Sequence, residues 1–101
     1  MKTVNIPSAI RVNFPGGNDT ISFVQFLTNC IDGSKEIKTF KQLRMALKII
    51  DKIERSGSTS VTFEDEEYEF LKTITDGLCY IPLVAKQLLP FRDAIENATN
   101  S

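Results

Sequence analysis

Thr39-Phe40-Lys41-Gln42-Leu43-Arg44-Met45-Ala46-Leu47-Lys48-Ile49-Ile50-Asp51-Lys52-Ile53-Glu54-Arg55-Ser56-Gly57 reads as one uninterrupted amphipathic helix. Thr39 stands where a hydroxyl can accept from the third backbone N–H, and Gln42 where its amide can reach back, a capping box. Phe40, Leu43, Leu47, Ile50 and Ile53 recur at helical spacing and predict the buried face, with Ala46 where a neighbour packs close. Gly57 stops the helix, and Ser56-Gly57-Ser58-Thr59-Ser60 follows as a connector.

The same helix carries Lys41, Arg44, Lys48, Lys52 and Arg55. At about 100° per residue these five fall within roughly 80° of one another, a cationic stripe set apart from the predicted apolar face. From Lys35 to Arg55 there are seven basic and three acidic residues, a local charge of +4. From Val61 to Gly77 there are six acidic and one basic, a local charge of −5. The whole chain nevertheless sums to −1, so no global field draws it to nucleic acid or anionic lipid.

Working back toward the N-terminus, Ser22 caps a first helix, with Gln25 as its partner. Phe23, Phe26, Leu27, Cys30 and Ile31 form its buried stripe and Gly33 its stop. Before it, Ile10, Val12 and Phe14 alternate with Arg11 and Asn13 as a half-buried strand does, and Pro15-Gly16-Gly17-Asn18-Asp19 turns the chain. Downstream, Val61-Thr62-Phe63 echoes Ile21-Ser22-Phe23, and the two could pair as short strands. Thr62 is the expected cap of a third helix, whose first turns hold Glu64, Asp65, Glu66, Glu67 and Glu69 where the helix dipole favours negative charge. Its spacing residues are Glu67, Phe70, Leu71, Ile74 and Leu78. A fourth helix opens at Pro82 and keeps the stripe Val84, Leu88, Phe91, Ile95 and Ala98 through Pro90, which predicts a kink or two short helices broken near Leu89.

These elements predict an α+β, mainly α fold of about four helices with a short N-terminal β-hairpin or minimal sheet. The 101 residues suffice for one domain, and a 42% hydrophobic content with 7 Phe can fill its core without metal or disulfide staples. Residues 1–8 and 97–101 are expected to fray. Cys30 and Cys79 read as reduced, buried hydrophobes, since no Cys-x-x-Cys suggests a redox pair. No apolar run is long enough for a membrane span and the start is too polar for a signal peptide, so a cytoplasmic protein is expected.

Histidine is absent, which removes the commonest general base, the Ser-His and Cys-His nucleophile pairs and imidazole metal sites. No phosphate-binding or dinucleotide loop is present. The acidic run from Glu64 to Glu69 could in principle hold Mg²⁺, but stabilising a helix N-terminus already explains it. The expectation is therefore no enzyme, no cofactor, and no catalytic or metal-binding residue. Lys41, Arg44, Lys48, Lys52 and Arg55, with Glu64, Asp65, Glu66, Glu67 and Glu69, are the candidate partner-binding residues. They would contact a protein partner or another copy of the chain, the basic stripe of one facing the acidic helix of the next. A nucleic-acid-binding regulator using the basic stripe is the alternative, ranked lower because no aromatic is interleaved on that face.

The order of motifs resembles that of small tailed-bacteriophage accessory proteins of unassigned function. It is carried by Ile21-Ser22-Phe23, Ala46-Leu47-Lys48-Ile49, Val61-Thr62-Phe63-Glu64 and Tyr80-Ile81-Pro82-Leu83, over about residues 21 to 98. The resemblance implies a viral accessory, anti-defence or assembly protein working in the host cytoplasm, and brings no catalytic residues with it.

Overall fold

The computed structural model describes residues 1–57, 59–77, 80 and 82–100. Leu78 and Cys79, expected in the core, lie outside the described residues. The chain is α+β and mainly α. In order it forms β1 (Lys2–Asn5), β2 (Ile10–Phe14), β3 (Gly17–Ile21), α1 (Phe23–Asp32), α2 (Phe40–Ser56), β4 (Ser60–Phe63), α3 (Asp65–Asp76), α4 (Pro82–Gln87), α5 (Leu89–Glu96) and β5 (Thr99–Asn100).

Locally encoded features stand where the sequence puts them. Ser22 Oγ accepts the Gln25 N–H at 3.1 Å, and all five residues of the α1 stripe are buried. Thr39 Oγ1 accepts from Gln42 N at 3.1 Å while Gln42 Oε1 accepts from Thr39 N at 3.1 Å, closing the capping box of α2. Gly57 ends α2 at φ 59°, a left-handed position that costs other residues a steric penalty. The fourth helix is two short ones, α4 and α5, divided at Leu88, because Pro90 has no N–H to continue the ladder.

Much of the stretch expected to fray is paired: Lys2–Asn5 and Thr99–Asn100 are strands, and Ser101 lies outside the described residues. β1 is the central strand of an antiparallel sheet ordered β4-β1-β5. Val4 faces Val61 in register and both are buried, while on the opposite face the hydroxyls of Thr3 and Thr62 meet at 3.0 Å. Lys2 and Thr3 pair with Asn100 and Thr99, so strands near both ends of the chain are held by ladder bonds. Thr62 consequently lies inside a strand, and α3 begins from Glu64 instead, with Glu64 in extended conformation. Nor do Ile21-Ser22-Phe23 and Val61-Thr62-Phe63 pair together: Ile21 lies opposite Ile10, and Val61 opposite Val4.

The hairpin β2–β3 has a tighter turn than expected. Only Pro15 and Gly16 lie between the strands, and Gly17 to Asp19 belong to β3. Proline fixes a negative φ at the first turn position and Gly16 takes φ 100° at the second. Gln87 of α4 pins the outer edge of β2, accepting from Asn13 N at 2.8 Å and donating from Nε2 to Asn13 O at 2.7 Å. Its side-chain amide stands in for a neighbouring strand. Gln87→Ala is expected to speed hydrogen exchange at the Asn13 amide about tenfold while the core amides are unaffected. Unchanged protection at Asn13 would show that the hairpin is held some other way.

The buried side chains form one cluster, running from Val4 and Val12 through α1, the inner face of α2 and α3 to Phe91 and Ile95 of α5. α2 packs against α1, α3 and β4. It does so with Ala46, Ile49 and Ile53, whose directions fall within about 60° of one another. That corrects the expected face: Phe40 is 83% exposed and Leu47 53%, and Leu43 and Ile50 lie half-buried at the margin. The apolar residues of α2 cover a wider arc than its neighbours can bury, so packing decides which part goes inside.

Candidate interaction surface

The α2 stripe and the start of α3 come together within one molecule. Glu67, in the first turn of α3, is buried at 3% exposure. Its Oε1 accepts from Lys52 Nζ at 2.6 Å and from the Glu64 backbone N–H at 2.9 Å. Lys48 Nζ stands 3.8 Å from Oε2, an atom that is buried and has no hydrogen-bond partner among the described residues. Burial pushes the Glu67 pKa up, but the Lys52 hydrogen bond, the Glu64 N–H and the charges of Lys52 and Lys48 together hold it below the ordinary value of 4.5. Lys52 also lies over the Phe63 ring, 5.8 Å from its centroid. Lys52 therefore ties α2 to α3 and to the end of β4, with Lys48 adding a longer-range ion pair to Glu67.

The other sequence-predicted site residues divide by what holds them. Arg55 pairs with Asp51 one turn earlier, at 3.0 Å. Asp65 pairs with the Met1 amine at 2.9 Å, which holds its carboxyl below the usual range. Glu69 lies 4.0 Å from Lys72, and Glu64 gives its backbone to the start of α3. Lys41, Arg44 and Glu66 are exposed and make no ion pair among the described residues. Of the ten, Glu67 is buried and Lys52 half-buried, and the other eight are exposed.

What the sequence reading missed is the outer flank of α2. Phe40 and Leu47 point within about 20° of each other and about 140° away from the buried trio. Leu43 and Ile50 border them on one side, Arg44 and Asp51 on the other. At the N-terminal end, Ile37, Lys38, Thr39, Phe40 and Leu43 line a shallow recess of about 270 Å³. The signal was present in the sequence as a surplus of apolar positions on α2.

An open polar recess of about 700 Å³ lies beside α3 and α5. Arg92 reaches into it but already holds Glu96 at 2.6 Å and Asp76 at 3.6 Å. Among the described residues no three His, Cys, Asp or Glu are grouped so as to hold a metal ion, and no helix is long and apolar enough to cross a membrane. No protein-family model, curated protein or solved structure matches the chain.

Proposed function

We propose that this chain is a non-enzymatic protein-interaction module, of the accessory, anti-defence or assembly kind that its phage-like motif order suggests, and that it docks through the outer flank of α2. The observation that carries this reading is Phe40 at 83% and Leu47 at 53% exposure on the longest helix, beside the cations Lys41 and Arg44, which make no ion pair among the described residues. Burying a side chain such as Phe or Leu is worth about 1.5–3 kcal/mol, and aromatic residues and arginine are enriched at protein interfaces.

The test is a Phe40→Ser, Leu47→Ser double variant, assayed for partners and assembly state together with its circular dichroism. Loss of the partner in a chain that melts normally is expected, since both side chains lie outside the core. A variant that keeps every partner and its assembly state would overturn the reading. Lys41→Glu with Arg44→Glu should act in the same direction. Changes at Lys48 or Lys52 would not serve, because those amines hold Glu67.

One observation favours nucleic-acid binding as a second reading. The exposed Phe40 ring shares a recess with Lys38, with Lys41 and Arg44 following on the same helix, and stacking of a base on an aromatic is worth about 1–3 kcal/mol. Single-stranded oligonucleotide binding that falls steeply with salt would support it, and no shift in anisotropy at low salt would remove it.

A further inference from the structure

We infer that the occupant of the α2 flank is a second copy of the chain, docked antiparallel about Leu47; this rests on the interaction reading above. The pattern is self-complementary in one orientation only. Viewed down the helix with Leu47 at the centre, Leu43 and Ile50 lie about 40–60° to one side, and Arg44 and Asp51 about 40–60° to the other. A twofold axis across an antiparallel helix pair brings like sides together. Leu47 then meets the partner's Leu47. On one side Leu43 meets the partner's Ile50. On the other, Arg44 meets the partner's Asp51, and the symmetry makes that charged contact twice. A parallel pair brings unlike sides together, setting Leu43 and Ile50 against charge.

Charge along the helix favours the same arrangement. Lys41 occupies the first turn of α2, where no acidic residue offsets the positive end of the helix dipole. Lys38 and Arg44 add to that end. In the antiparallel pair it receives the negative end of the partner's dipole and the partner's Glu54, while Arg55 at that end lies about 80° from Leu47 around the helix and is held by Asp51 of its own chain. Asp51 binds Arg55 of its own helix but remains 52% exposed, and a carboxylate has acceptor sites for a second guanidinium. Phe40 lies across from the partner's Glu54, covered by the stem of that side chain and by the partner's Ile50.

Sedimentation equilibrium of the full chain, from micromolar to millimolar concentration, tests this. A reversible monomer–dimer equilibrium is expected. Arg44→Asp alone and Asp51→Arg alone should each weaken dimerisation about tenfold, and the double swap should recover most of that loss. Circular dichroism of each variant checks that the helix is intact. Dimerisation indifferent to both single changes, or a double swap as weak as its parents, would overturn the inference. So would a wild-type chain that stays monomeric throughout. If that monomer still captures a protein or oligonucleotide through Phe40 and Leu47, the second-copy assignment falls while the flank remains a docking surface. If the double serine variant also changes nothing, both readings fall.

Discussion

Glu67→Ala is expected to lower the unfolding free energy by about 3 kcal/mol, seen as an earlier urea midpoint with an unchanged slope. Removing one partner of a buried ion pair usually costs about 3–5 kcal/mol because the other charge is left stranded. Here the loss belongs at the lower end. The Lys52 side chain is 34% exposed and that of Lys48 64%, so both amines can turn toward water once the carboxylate is gone. What cannot be recovered is the acceptor for the Glu64 N–H and the filled space between α2 and α3. Glu66→Ala, one position earlier and exposed, should change stability by less than about 0.5 kcal/mol. Equal effects at 66 and 67 would refute the hub at Glu67.

The same carboxylate gives stability a pH signature. Its folded pKa is depressed, so in the unfolded chain it protonates first as pH falls. Its contribution is fully present well above the ordinary value of 4.5 and is lost as pH drops through the lower folded value. Glu67→Gln should flatten that acid limb while leaving stability near neutral pH insensitive to small changes of pH. An acid limb identical in the variant would assign it to other carboxylates.

The largest loss is expected from Phe91→Ala, about 4 kcal/mol. Phe91 has no exposed surface, stands edge-on to Phe23 at 5.5 Å between centroids, and lies 5.4 Å from Phe26. It anchors α5, a two-turn helix with little stability of its own, against α1. Deleting the ring removes its burial and leaves a cavity that these aromatics cannot close. Phe91→Leu should lose far less, about 1.5 kcal/mol. For a domain of this size, with a total of about 5–15 kcal/mol, the alanine variant should melt many degrees earlier. A shift no greater than that of Phe91→Leu would mean that the ring cluster does not organise the α1–α5 contact.

Legibility in the sequence followed sequence distance. Ser22, Thr39 and Pro90 act on neighbours three or four residues away, and each produced the cap or break expected of it. The α1 stripe was read in full because five apolar residues on one arc leave no choice of face. β1 offers one fully buried residue, Val4, too little for a period of two to emerge. Its partner Val61 is supplied by a different part of the chain. Thr62 looked like a cap because its hydroxyl chemistry suits that role, but pairing with Thr3 drew it into the sheet. On α2, the apolar surplus made Phe40 and Leu47 look like core.

The sequence by itself determined where α1 and α2 start and stop, which side of α1 is buried, and that α2 carries five cations on one arc. Only the tertiary structure decided that Lys52 and Lys48 pair with Glu67, that strands near both ends of the chain enter one sheet, and that Phe40 and Leu47 face solvent. Caps and periodicities are energies between near neighbours. The rotation of a helix about its own axis, and the pairing of distant strands, are set by whichever surfaces arrive from elsewhere in the chain.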